Sequence, residues 1–141
     1  MPQERAVAFK RAVSLDNGIS ISWLEQTWKR NILDTNEINS NDFKLLSQLG
    51  IKTIRLPVAF EYFELQHIPI EKVFVRIDQV VKQCDKYGFK LIIDNHYGSL
   101  NDTNYQQETQ RIIDIWKMVA NRYMGQNPDN LFFEPYNEPP H

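Results

Sequence analysis

The stretch Leu131-Phe132-Phe133-Glu134-Pro135-Tyr136-Asn137-Glu138-Pro139 decides how the chain is read. The apolar run from Leu131 to Tyr136 is predicted as a strand, and it leads straight into Asn-Glu-Pro. A strand that delivers an amide and a carboxylate at its C-terminal tip fits a (β/α) barrel, whose chemistry sits at that end of the sheet. An isolated Asn-Glu-Pro says little, because Asn and Pro are also ordinary turn residues. The tripeptide gains meaning only if other strands end in polar residues too.

They do. Working backwards, Phe89 to Asn95 reads as a buried strand followed by His96. Ile51 to Pro57 is another, carrying Arg55, and Gly18 to Trp23 is a short alternating strand after the turn pair Asn17-Gly18. Helical patterns separate them. Asn41 to Leu49 is predicted as a helix capped by Ser40 or Asn41 and stopped by Gly50. From Ile70 to Tyr87 the residues Val73, Phe74, Ile77, Val80, Val81 and Cys84 recur at the spacing of one helix face, and Gly88 ends the run. Thr103 to Met124 repeats the pattern with Ile112, Ile115, Trp116, Val119 and Tyr123. The order βαβαβαβ implies a parallel sheet, four strands with about three helices. An open doubly wound sheet would share that order, but it usually has a Gly-rich turn after its first strand. Trp23-Leu24-Glu25-Gln26-Thr27 is unlike one, so the expected fold is α/β, a parallel (β/α) half barrel of the TIM-barrel type, in one domain over residues 1–141.

Composition narrows the partners. The chain has 141 residues, formal net charge −2 and acids and bases interspersed, so no nucleic-acid partner is expected. No apolar run reaches membrane-spanning length, and no membrane partner is expected. Cys84 is the single cysteine, so no internal disulfide can form. His67, His96 and His141 lack ligand spacing, and neither metal nor cofactor is expected. Met1 to Arg5 lacks the apolar core of a signal peptide, which suits a cytoplasmic protein or a secreted one whose leader has been removed.

In a parallel sheet Arg55, His96, Asn137 and Glu138 would meet on one rim. Taken singly each has a plainer reading: a structural ion pair for Arg55, a satisfied loop histidine for His96, a turn for Asn137-Glu138. Asp94 could face either way, and Glu134 could point into the barrel or serve only structure.

Four stretches resemble glycoside hydrolase family 5, the cellulase family. They are Gly50-Ile51-Lys52-Thr53-Ile54-Arg55-Leu56-Pro57, Lys90-Leu91-Ile92-Ile93-Asp94-Asn95-His96-Tyr97, Ile115 to Tyr123, and Phe133-Glu134-Pro135-Tyr136-Asn137-Glu138-Pro139. In order and spacing they are similar to the N-terminal half of such an enzyme. The resemblance implies Glu138 as the general acid/base of a retaining endo-β-1,4-glucanase-like enzyme, with Asn137 on the sugar 2-hydroxyl. It implies Arg55 and His96 as residues that hold the nucleophile and the sugar. Trp23 is a substrate-binding candidate that could stack on a sugar, as could Trp28, though both could simply pack. The family nucleophile lies on the seventh strand, which this sequence does not contain. Retention needs a second carboxyl about 5–5.5 Å from the first. The acid must also stay protonated near working pH, which burial or a negative neighbour achieves. The family often has a His-His pair where this chain has His96-Tyr97, and His141 acquires no role.

A half barrel leaves its first and fourth strands as open edges, which favour pairing with another chain. A homodimer or larger homo-oligomer completing the barrel is therefore expected, with a β-linked oligo- or polysaccharide as the other partner. The competing expectations are an inactive half barrel that self-associates or binds sugar, and a half-barrel enzyme acting on phosphorylated metabolites.

Overall fold

A computed structural model describes residues 2–29, 32–33 and 39–138. Pro139 and His141 lie outside the described residues. Nine elements follow in order: α1 (Pro2–Val13), β1 (Gly18–Ser20), α2 (Ser40–Gln48), β2 (Thr53–Val58), α3 (Phe60–Leu65), α4 (Ile70–Tyr87), β3 (Lys90–Asn95), α5 (Tyr105–Tyr123) and β4 (Leu131–Glu134). The four strands form one open, all-parallel sheet in the order β1-β2-β3-β4. That is the expected partial (β/α) barrel.

The register separates the two faces. Ile54, Leu91 and Leu131 share one face with Leu56, Ile93 and Phe133. Helices cover this face, and Ile54, Leu56, Leu91 and Ile93 are sealed from solvent. Val73, Ile77, Val80 and Val81 of α4 are buried in the same core. Strand alternation sends the residues between them to the opposite face. There the register aligns Ser20-Arg55-Ile92-Phe132 in one row and Pro57-Asp94-Glu134 in the next. The inner face is therefore the polar one, and strand parity alone puts Arg55, Asp94 and Glu134 on it.

Five helices are present among the described residues, against three expected. The first, α1, was not anticipated, although Pro2 opens it, Glu4 lies in its first turn and Lys10 and Arg11 lie in its last, as helix ends favour. It is tied beneath the sheet: Arg11 Nε donates to Asp129 at 2.7 Å, and Lys90 Nζ to the Ser14 carbonyl at 2.8 Å. The other addition, α3, has six residues, too few for a helical period to show. The cap of α2 is Asn39, not Ser40 or Asn41; its Oδ1 accepts from the amides of Asn41 and Asp42. The first strand stops at Ser20, short of Trp23: Ile21 N–H still donates to the Arg55 carbonyl at 2.9 Å, but the chain then turns, with Trp23 N–H donating to the Ile21 carbonyl at 3.0 Å, before Leu24 rejoins β2 as a bridge to Val58. The fourth stops at Glu134, because Pro135 has no N–H to extend the ladder.

The helix α4 begins and ends at the expected residues. Gly88 caps it at φ 71°, in the left-handed region where a side chain is strained although there is open space around it. Gly88→Ala is expected to cost about 1–2 kcal/mol in urea unfolding. Burial pushes the Cys84 thiol up to about 12, which leaves it a packing group rather than a nucleophile.

Candidate active site

Four strand ends and their loops build the site. Arg55 projects from the inner face of β2 and is its hub. Its Nε donates to Glu134 Oε2 at 2.7 Å and its Nη2 to Glu134 Oε1 at 2.8 Å, a two-pronged ion pair across to β4. Nη2 also lies 2.8 Å from Asp94 Oδ2 and donates to Asn137 Oδ1 at 3.0 Å. One nitrogen with two hydrogens thus serves three oxygens, so its bonds are shared.

Asn137 is fixed by this arrangement. Its backbone N–H donates to the Asn95 carbonyl at 3.0 Å, which ties the end of β4 to the end of β3. Guanidinium can only donate, so the contact with Arg55 settles the amide orientation. The carbonyl is spent on Arg55, and the –NH2 is left to donate to a ligand. Glu138 follows at φ 48°, a left-handed conformation uncommon for a residue with a side chain. Its side chain is exposed, not buried as the acid role would favour.

His96 sits just beyond β3, its N–H bonded to the Val58 carbonyl at 3.1 Å. Its ring lies between two carboxylates, with Nδ1 2.7 Å from Asp94 Oδ2 and Nε2 2.7 Å from Glu25 Oε2. Tyr97 meets the ring edge-on at 4.8 Å. The loop after β3 is pinned by Tyr136, whose hydroxyl accepts from Leu100 N–H at 3.3 Å. Gly98 lets that ring approach: a Cβ there would come within 2.4 Å of the hydroxyl, and Tyr136 would have to move. Trp116 Nε1 donates to the Pro135 carbonyl at 2.9 Å and steadies the same segment from α5.

Charge and burial act against each other on the rim. Arg55 holds the Glu134 carboxyl below the ordinary carboxylate range, chiefly by its hydrogen bonds. Asp94 is 0% exposed, and that desolvation pushes its carboxyl upward despite His96 and Arg55. Its Oδ1 is buried without a partner. The two groups therefore drive stability in opposite directions. Glu134 binds its proton less readily folded than unfolded, so its contribution is present above about pH 4–5 and lost as acid protonates the folded state. Asp94 binds its proton more readily folded, so its charge penalises folding above its unfolded value and the penalty lifts as pH falls. Glu134→Gln is expected to flatten the acid limb of a urea-unfolding profile, and Asp94→Asn to steepen it. The opposite ordering would refute the assignment.

The structure brings Arg55, His96, Asn137 and Glu138 to one rim, and adds Asp94, Glu134 and Glu25. Glu134 is resolved to the inner face. Trp23 is half-buried at the edge of the core, its ring 5.4 Å from Phe43. Trp28 is 69% exposed. Glu25 was missed because nothing in its spacing connects it to His96.

A groove of about 650 Å³ lies elsewhere, between Phe63, Ile68, Ile70 and the α5 residues Arg111, Ile115 and Met118. Its one cation, Arg111, is already matched by Glu61, Glu64 and Glu108. Glu64, His67, Gln107 and Asp114 line it too, but it lies among the helices and not at the strand ends where the rim residues meet. Among the described residues no cluster of His, Cys, Asp and Glu is arranged to hold a metal ion, and no helix is long and apolar enough to cross a membrane.

With the rim in view, comparison with known proteins decides the family. Residues 13–141 match Cellulase (glycosyl hydrolase family 5). The chain belongs to glycosyl hydrolase family 5. Cellodextrinase A of Ruminococcus flavefaciens is 34% identical over 137 residues, covering 86% of this chain and 39% of that protein. Endoglucanase H of Acetivibrio thermocellus is 31% identical over 118 residues, covering 82% of this chain and 12% of that protein. A Thermotoga maritima Cel5A structure with cellobiose superposes with a TM-score of 0.74 at 26% identity, covering 93% of this chain and 43% of that one. The chain thus spans less than half the length of each of these relatives.

Proposed function

We propose that this chain carries the acid/base side of a retaining endo-β-1,4-glucanase-like site. Glu138 protonates the leaving glycosidic oxygen and later takes a proton from water, and Asn137 donates its amide N–H to the sugar 2-hydroxyl. Arg55 and His96 hold the carboxylates of the rim in place. The observation that carries the reading is the Arg55 clamp, which orients Asn137 beside Glu138 at the C-terminal ends of a parallel sheet in a family 5 chain. The names of the relatives, a cellodextrinase and endoglucanases, support a β-linked glucan as the substrate class.

The nucleophile comes from outside this chain's inner rim. Glu25, Asp94 and Glu134 are each held by His96 or Arg55, so none is left to attack an anomeric carbon. The sheet is open at β1 and β4, and the elements that close it supply the missing carboxylate. For the 141-residue chain by itself, a second copy closes it, as a homodimer, and the second copy's Glu138 is the one rim carboxylate left to act as nucleophile. Light scattering that finds only a 16.7 kDa monomer would contradict the dimer and leave a non-catalytic, sugar-binding half barrel as the alternative.

Hydrolysis of an aryl β-cellobioside, followed across gel-filtration fractions, tests the catalytic reading. Turnover is expected only in assemblies larger than the monomer, and only with Glu138 intact. Turnover by the monomer, or equal turnover by Glu138→Gln, would overturn it.

A further inference from the structure

We infer that Glu25, on the loop after β1, is a positioning residue that holds His96 as a fixed link and not as a free sugar contact; this rests on the reading of the rim as a glycan site. The geometry leaves the ring little else to do. Both its nitrogens lie 2.7 Å from a carboxylate oxygen, Nδ1 from Asp94 and Nε2 from Glu25. Both ring nitrogens are thus already engaged by the protein. No ring nitrogen remains to bond a sugar hydroxyl. Glu25 and His96 are only 15% and 18% exposed at their side chains, so the pair is sheltered enough for the bond to matter.

The contact completes a chain of charges across the whole sheet. Glu25 bonds His96, His96 bonds Asp94, Asp94 bonds Arg55, and Arg55 bonds Glu134 and Asn137. It runs from the loop after β1 to the end of β4, and its last member is the amide that stands before Glu138. The charged and titratable groups facing the ring are Glu25, Asp94 and Tyr97 by contact, with Arg55 on the same Asp94 oxygen and Glu134 beyond it. Removing Glu25 frees Nε2, and the ring is then held only from Asp94.

Side-chain nitrogen NMR of the 141-residue chain tests this without any need for turnover. The His96 Nε2–H is expected to exchange slowly with solvent. In Glu25→Ala its exchange should be faster by about tenfold to a hundredfold, the size of one charge-assisted hydrogen bond. The Asn137 –NH2 resonances should shift as well, although Glu25 does not touch Asn137. In Glu25→Gln, whose amide oxygen can accept the same hydrogen, slow exchange should return. Unchanged exchange in Glu25→Ala, or a Glu25→Gln variant that behaves like it, would overturn the inference. Failure of cellotriose to perturb the wild-type rim would instead remove the glycan reading and leave the His96 link standing, so the two failures are distinguishable.

Discussion

Arg55→Met is expected to lower the unfolding free energy by about 3–5 kcal/mol, the range for breaking a buried ion pair from one side. Methionine keeps the apolar stem of the side chain, so lost packing contributes little. What is lost is the one guanidinium shared by Asp94, Glu134 and Asn137. Glu134 can turn toward water, because 35% of its side chain is exposed. Asp94 cannot, because it is fully buried with Oδ1 already unpartnered. Its carboxylate would keep only His96, and desolvation would push it further toward the neutral form. The deficit should accordingly shrink as pH falls, since a protonated Asp94 no longer needs a cation. Urea unfolding at several pH values reads both effects. A loss under about 1 kcal/mol, the scale of an exposed pair, would show that the clamp is ornamental.

Glu138→Gln is expected to reduce turnover of an aryl β-cellobioside by about 10²–10⁴-fold, the usual worth of a positioned general acid or base. Glutamine preserves shape but cannot supply the proton. The loss should depend on the leaving group. A strongly acidic phenol departs without protonation, so its glycoside should lose least in the glycosylation step; a poor leaving group should lose most. Equal losses across a series of aryl glycosides would mean that Glu138 acts on something other than the leaving oxygen.

Much of the sheet is legible in the sequence because its order and its polarity coincide. The period of Val73, Ile77, Val80 and Cys84 with Gly88 behind it locates α4 to the residue, since a long amphipathic helix states its own boundaries. Of the tetrad, His96, Asn137 and Glu138 are visible because they follow apolar runs, and Arg55 because it interrupts one. The shorter elements are not visible in this way. Six residues of α3 hold less than two turns, and α1 has helix-favouring ends but its place under the sheet depends on Asp129 and Ser14, far along the chain or at its own end.

The links within the site were harder still. Whether Glu134 points in or out depends on register with Asp94, and a single-residue slip would reverse it. The Glu25–His96 contact joins a loop to a strand end with no motif spanning the two. Trp23 is similar: the sequence leaves open whether it stacks on a sugar or packs, and its contact with the fully buried Phe43 appears only in the structure.

Titration of the ¹⁵N-labelled 141-residue chain with cellotriose tests the central claim most directly, because it asks whether the rim holds a β-glucan without asking the chain to turn it over. Saturable shifts are expected at the Asn137 side-chain amide, the Glu138 backbone N–H and the Arg55 Nε–H. Shifts confined to the groove around Ile68 and Arg111, or none at all, would contradict it.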